Sequence, residues 1–164
     1  MAEPRRIPLI IVGVGNVGRT FLAQLAQTHD TLAHRYGVAL SPVALADSRS
    51  ALCDADGLPP ATLYAAADLK AAGRSLVEAT GAQPGLAALD LVEWAARAGL
   101  ERAIVVDTTA ADGMETALHR ALALGYSVAL ANKRPLAGPW EGAPEFFASS
   151  RVCFAATAGP GLPL

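Results

Sequence analysis

The stretch Ile7-Pro8-Leu9-Ile10-Ile11-Val12-Gly13-Val14-Gly15-Asn16-Val17-Gly18 constrains the chain more than any other. An apolar, β-branched run stops at a glycine cluster, and a helical pattern begins directly after it. This is G-x-G-x-x-G in the strand-turn-helix setting that its chemistry requires. Gly13 lets the chain turn sharply out of the strand, and Gly15, without a Cβ, lets a pyrophosphate approach the backbone. Gly18 lets the helix pack closely on the strand. Phosphates would then face the free amides and positive dipole end of the new helix. The stretch therefore points to dinucleotide binding.

Downstream, helical and strand patterns alternate. Val17, Phe21, Leu25 and Leu32 predict a helix from about Val17 to Arg35, ended by Gly37. Ser41-Pro42 introduces a short strand, Val43 to Ala46, that stops at Asp47-Ser48-Arg49. Asp54 to Pro60 is a loop by its Asp, Gly and Pro content. A helix is expected from about Asp68 to Thr80, and another around Leu89, Val92 and Ala96, closed by Gly99. Ala103 to Asp107 is a buried strand. Met114, Leu118, Ala121 and Leu122 define the next helix, stopped by Gly125. Ser127 to Ala131 is a strand, Glu141 to Ser150 a helix and Val152 to Ala156 a last strand. Such alternation implies an α/β fold of Rossmann type, a doubly wound, mostly parallel sheet with helices on both faces.

Composition narrows the classes. The chain has 164 residues, enough for one domain with a real core, and 52% are hydrophobic while only 17% are charged. That balance argues against disorder. A net charge of −2 leaves no basic footprint for nucleic acid or an anionic membrane. The apolar runs are far short of a membrane span, and Met1 to Arg6 has no signal-peptide character. The expected location is the cytoplasm. Cys53 and Cys153 form no C-x-x-C pair, and Cys153 falls in an apolar strand pattern that suggests a small core residue. His29, His34 and His119 lack metal-ligand spacing; the first two fall near a helix end.

Ligands of such sheets bind beyond the carboxyl ends of the strands. Gly15, Asp47, Thr108, Thr109 and Lys133 all follow predicted strand ends, so one edge gathers them. Asp47 stands where a carboxylate accepts from the 2′-hydroxyl of the adenine ribose, although later after Gly18 than the usual ~20 residues. Arg49 would instead pair with a 2′-phosphate. The two point to opposite cofactors, NAD and NADP, and Asp47-Ser48-Arg49 is equally an ordinary turn. Lys133 is either a solvated loop charge or a fixed cation over the nicotinamide end, meeting a substrate oxygen as a hydride moves.

The chain resembles the cofactor domain of homoserine dehydrogenase, which links aspartate semialdehyde and homoserine on the way to threonine, methionine and isoleucine. The blocks that carry the resemblance span essentially the whole chain, in family order. They are Gly13 to Gly18, Asp47-Ser48-Arg49, Val106-Asp107-Thr108-Thr109, Ala131-Asn132-Lys133-Arg134-Pro135-Leu136 and Ala156 to Pro163. The Asn-Lys block and the closing Gly-Pro-Gly-Leu-Pro are the specific ones. The resemblance implies Asn16 and Val17 at the pyrophosphate, and Thr108 and Thr109 by the nicotinamide ribose. It implies Lys133 as the lysine that touches the cofactor and organises the reacting centre. It further implies a sodium ion held by the backbone carbonyls of Ala158, Pro160 and Leu162, but the carboxylate of that site falls at Ala155, which cannot ligate.

In the family a substrate and dimerisation domain follows, carrying the acid/base lysine and the carboxylates for the homoserine amino group. The chain stops at Leu164 on an abrupt apolar end. The expectation is therefore a cofactor domain that belongs with a further part, homodimeric when complete, and that binds dinucleotide alone with little or no turnover. Two other readings stand beside it. One is a free-standing dinucleotide-binding sensor or partner subunit; the other is the cofactor domain of a different amino-acid or semialdehyde dehydrogenase.

Overall fold

The computed structural model describes residues 3–137 and 143–154. Seven strands form one sheet in the order β4-β3-β2-β1-β5-β6-β7. The strands are β1 (Arg5–Val12), β2 (Val38–Ala46), β3 (Ser50–Cys53), β4 (Gln83–Pro84), β5 (Ile104–Asp107), β6 (Ser127–Leu130) and β7 (Val152–Cys153). Between them run α1 (Asn16–Tyr36), α2 (Pro60–Ala71), α3 (Ala88–Arg97), α4 (Glu115–Ala123), α5 (Arg134–Ala137) and α6 (Ala143–Ala148). β2, β1, β5, β6 and β7 are mutually parallel, while β3 and β4 pair antiparallel at the edge. This is the expected Rossmann-type, mostly parallel sheet.

Period-two alternation along the strands feeds two cores, one on each face of the sheet. Ile10, Val12, Val105, Val128 and Leu130 face the side where α3, α4 and Phe146 of α6 pack. Leu9, Ile11, Leu45 and Val106 face the other side, beneath Leu22 and Leu25 of α1 and Leu63 and Ala66 of α2. Burying one such leucine contributes about 1.5–3 kcal/mol. Helices therefore cover both faces, and the strands at the middle of the sheet are apolar on both sides.

Several expected boundaries move. α1 ends at Gly37, as anticipated, in a left-handed cap at φ 62° whose N–H donates to the Ala33 carbonyl. β2 begins at Val38 rather than Val43. Pro42 lies inside the strand opposite Leu9, and directly after it the register shifts, leaving Val43 as the extra residue before Ala44 meets Ile10. The helix expected over Asp68 to Thr80 lies earlier, as α2. Gly73, at φ 74°, breaks the chain, and Leu76–Glu78 is a short 3-10 turn. Cys153 is exposed on β7 and is no core residue.

β1 lies between β2 and β5, so the winding of the sheet reverses between β1 and β5. The loops after those two strands diverge there, which opens the crevice where such sheets bind ligands. Among the described residues, no helix is long and apolar enough to cross a membrane.

Candidate functional site

The loop between β1 and α1 forms one wall of this crevice. Gly13 N–H donates to the Ala46 carbonyl at 2.8 Å, and Gly13 sits at φ 99°. A Cβ there would lie 2.8 Å from backbone atoms of Thr108 and Thr109, so only glycine fits. At Gly18 a Cβ would come within 2.2 Å of the Gly13 carbonyl oxygen, so the helix rests directly on the turn. Gly15 differs from both. It caps α1 with extended backbone, offers no side chain to the helix, and a Cβ there would meet nothing within 4 Å. The space over Gly15 is open because no side chain occupies it.

The first amides of any helix lack intrahelical partners. In α1 no side chain caps them, and no acidic residue lies in the first turn. The positive end of the helix is thus left uncompensated beneath the open space, an arrangement that suits a pyrophosphate. Asn16 and Val17 lie in that first turn. The Asn16 side-chain oxygen accepts from Arg19, and Val17 is half exposed.

From α1 a groove of about 560 Å³ runs across the sheet, lined by Asn16, Val17, Phe21, Thr108, Ala129 and Cys153 among others. Its walls are mostly apolar, which suits the face of a flat aromatic ring.

Thr108 and Thr109 follow β5 and form the opposite wall. The Thr108 hydroxyl donates to the Gly13 carbonyl at 2.6 Å and so holds the glycine turn from across the crevice. Thr109 uses its hydroxyl and its N–H on Asp107 Oδ1, at 2.7 and 2.9 Å. Asp107 is fully buried, and its other oxygen accepts from Asn132 Nδ2 at 3.1 Å. Asn132, after β6, is 3% exposed, and its Oδ1 accepts from Arg134 N–H at the start of α5. Lys133 follows it, exposed at the same edge, its carbonyl accepting from Leu136 N–H and its ammonium bonded to no described residue. Asp107 and Asn132 were quoted in the sequence only as members of longer blocks. The signals for them were local: a carboxylate two residues before an N–H, and an asparagine two residues before a helix N–H, are both Asx geometries.

At the end of β2 the Asp47 carboxylate, expected at the adenine ribose, is turned into the protein. The side chain is 5% exposed, and both oxygens are taken by the protein. Oδ1 accepts from the N–H groups of Arg49 and Ser50 at 2.9 and 3.0 Å. Oδ2 accepts from Lys70 Nζ at 3.0 Å, Ser75 Oγ at 3.2 Å and Leu76 N–H at 2.9 Å. Burial alone would push its pKa up. The donors, led by Leu76 and Arg49 N–H, outweigh burial and hold it well below the usual carboxylate range. Ser48 and Arg49 are exposed at the turn, and the Arg49 guanidinium pairs with no described residue. Ala158, Pro160 and Leu162, expected to hold sodium through their carbonyls, lie with Ala155 outside the described residues.

The sequence profile described as "Homoserine dehydrogenase, NAD binding domain" matches residues 13–150. Among curated proteins, none matches the chain. Solved structures share the fold at low identity. Homoserine dehydrogenase from Thermoplasma acidophilum superposes with a TM-score of 0.71 at 23% identity, over 98% of this chain and 46% of its own. A hyperthermophilic archaeal homoserine dehydrogenase mutant in complex with NADPH gives 0.67 at 21%, over 93% and 44%. A protein of unknown function from Candida auris gives 0.67 at 23%, over 97% and 41%. The chain thus spans less than half the length of each of these structures. The profile covers most of the sequence, including the glycine turn, both crevice walls and the Asn-Lys turn, and the chain belongs to the homoserine dehydrogenase NAD-binding domain family.

Proposed function

We propose that the chain is the cofactor-binding half of a homoserine dehydrogenase, interconverting L-homoserine and L-aspartate 4-semialdehyde once joined to a substrate half. The observation that carries this reading is the open, uncapped and acid-free start of α1 over Gly15, braced by Thr108 from β5. When bound there, a nicotinamide dinucleotide supplies the hydride acceptor or donor. The residues of the chain bind and orient it. Amides of the first turn of α1 hold the pyrophosphate, and the apolar groove beside Val17 takes the ring. Lys133 places a cation at the same edge, where negative charge develops on a substrate oxygen.

The cofactor is NADP(H) in preference to NAD(H). A carboxylate selecting the 2′-hydroxyl would have to be accessible, and the Asp47 carboxylate is sequestered. Arg49 leaves an exposed cation at the same turn, suited to a 2′-phosphate. Calorimetric titration of the chain with NADP+ and NAD+ tests the binding half of the proposal. Binding of NADP+ at least about tenfold tighter than NAD+ is expected; that is ~1.4 kcal/mol. No binding of either nucleotide removes the proposal. Assays of the chain with homoserine and NADP+ should show little or no turnover, and robust turnover by this chain would refute the division of labour.

A further inference from the structure

We propose that Asn132 is a positioning residue that locks the loops after β5 and β6 into one unit, fixing the nicotinamide end of the site. This rests on the cofactor reading above. The strand ladder ends at the pair Asp107 and Leu130. Beyond that pair, Ala131 and Asn132 donate their N–H groups to the Asp107 carbonyl at 2.9 and 3.3 Å. The Asn132 side chain then makes the remaining ties. Its amide nitrogen carries two hydrogens yet lies within reach of three acceptors: Asp107 Oδ2 at 3.1 Å, Thr109 Oγ1 at 3.1 Å and the Ala111 carbonyl at 2.9 Å. Its oxygen caps α5 through Arg134 N–H at 3.1 Å. One buried side chain therefore ties Asp107, Thr109 and Ala111 to the turn that carries Lys133.

The knot extends to the glycine turn. Thr109, which bonds both Asp107 and Asn132, has its N–H and its methyl group so close to Gly13 that a Cβ there would lie 2.8 and 2.9 Å from them. Three strand ends that face the ligand are thus joined through Asp107, Thr109 and Asn132. A buried carboxylate with an amide is a poor device for stability alone, because apolar packing of the same volume serves as well or better. Its advantage is a single geometry, which is what a hydride-transfer site requires. The turn that carries Arg49, assigned above to the 2′-phosphate, is held separately by the Asp47 network on the other side of β1. Loosening Asn132 should therefore disturb one end of the dinucleotide and spare the other.

The test compares two probes on the chain itself: NADPH, and 2′-phosphoadenosine diphosphate ribose, which lacks the nicotinamide ring. In the native sequence NADPH should bind tighter than the truncated probe, with a rise in its nicotinamide fluorescence on binding. Asn132→Ala should weaken NADPH about tenfold and abolish the fluorescence rise, while the truncated probe stays within about twofold. Asn132→Ser is the second variant. It can still cap α5 but is too short to reach Asp107, so it should show the same split even if the alanine variant folds poorly. An equal loss for both probes would mean a merely structural role and overturn the proposal. Unchanged NADPH binding and fluorescence would overturn it as well. If the native chain binds neither probe, the cofactor reading itself fails and this inference goes with it.

Discussion

Gly15 separates fold from function at a single position. Its backbone lies at φ −77°, which any L-residue adopts, and the space where a Cβ would stand is empty. Gly15→Val should therefore leave the melting temperature within about 3 °C and weaken NADP+ about thirtyfold or more, measured by thermal unfolding and calorimetry. Gly13→Ala and Gly18→Ala should do the opposite first. Each drives a methyl group into backbone at 2.8 or 2.2 Å, and each should cost about 2–4 kcal/mol of stability in urea unfolding. Arg49→Ala should lower NADP+ affinity about tenfold and leave NAD+ nearly unchanged. Equal losses for the two nucleotides would dismiss Arg49 as a phosphate ligand. The glycines were legible because their work follows from a missing atom at fixed spacing. Asp47 was not. Its partners Lys70, Ser75 and Leu76 are brought to it from more than twenty residues away by the fold, and no local pattern announces them.

The elements were legible where periodicity was strong, and illegible where alanine flattened it. α1, α4, β1, β5 and β6 each have a clear apolar period or run and a glycine or polar stop. α2, Pro60–Ala71, is so rich in alanine that it offers little contrast between faces and buries only Leu63 and Ala66. A helix was expected from about Asp68 to Thr80, but Gly73 takes a left-handed conformation within that span. β3 is short, antiparallel and paired through a hairpin, so it carries no parallel-strand signature. What joins these weakly marked pieces is Asp47, tied to the end of α2 by Lys70 and to the 3-10 turn by Ser75 and Leu76. Its folded pKa lies below the ordinary value of 3.8. The stability it contributes is complete above that ordinary value and is lost as pH falls through the depressed one. Asp47→Asn should cost about 2–4 kcal/mol at pH 7. It should also flatten the fall in stability below about pH 4, followed by urea unfolding across pH. A variant as stable as the native chain at pH 7 would show that the network does not hold the edge.

On the scale of the whole molecule, two cores back one sheet whose carboxyl edge gathers the glycine turn, Thr108, Thr109 and Lys133. That convergence was legible, because parallel strands joined by helices place every such loop on one edge. The buried knot of Asp107, Thr109 and Asn132 was not, since it depends on the separation of β5 and β6 in space. Residues 155–164, which carry the closing block of the family resemblance, lie outside the described residues. The central claim is that main-chain amides at the start of α1 receive the pyrophosphate. Titrating 15N-labelled chain with NADP+ and following its amide resonances tests it most directly. The amides of Gly15, Asn16, Val17 and Gly18 should shift first and furthest, and Gly15→Val should silence them. Saturating NADP+ that leaves those four resonances in place would contradict the account.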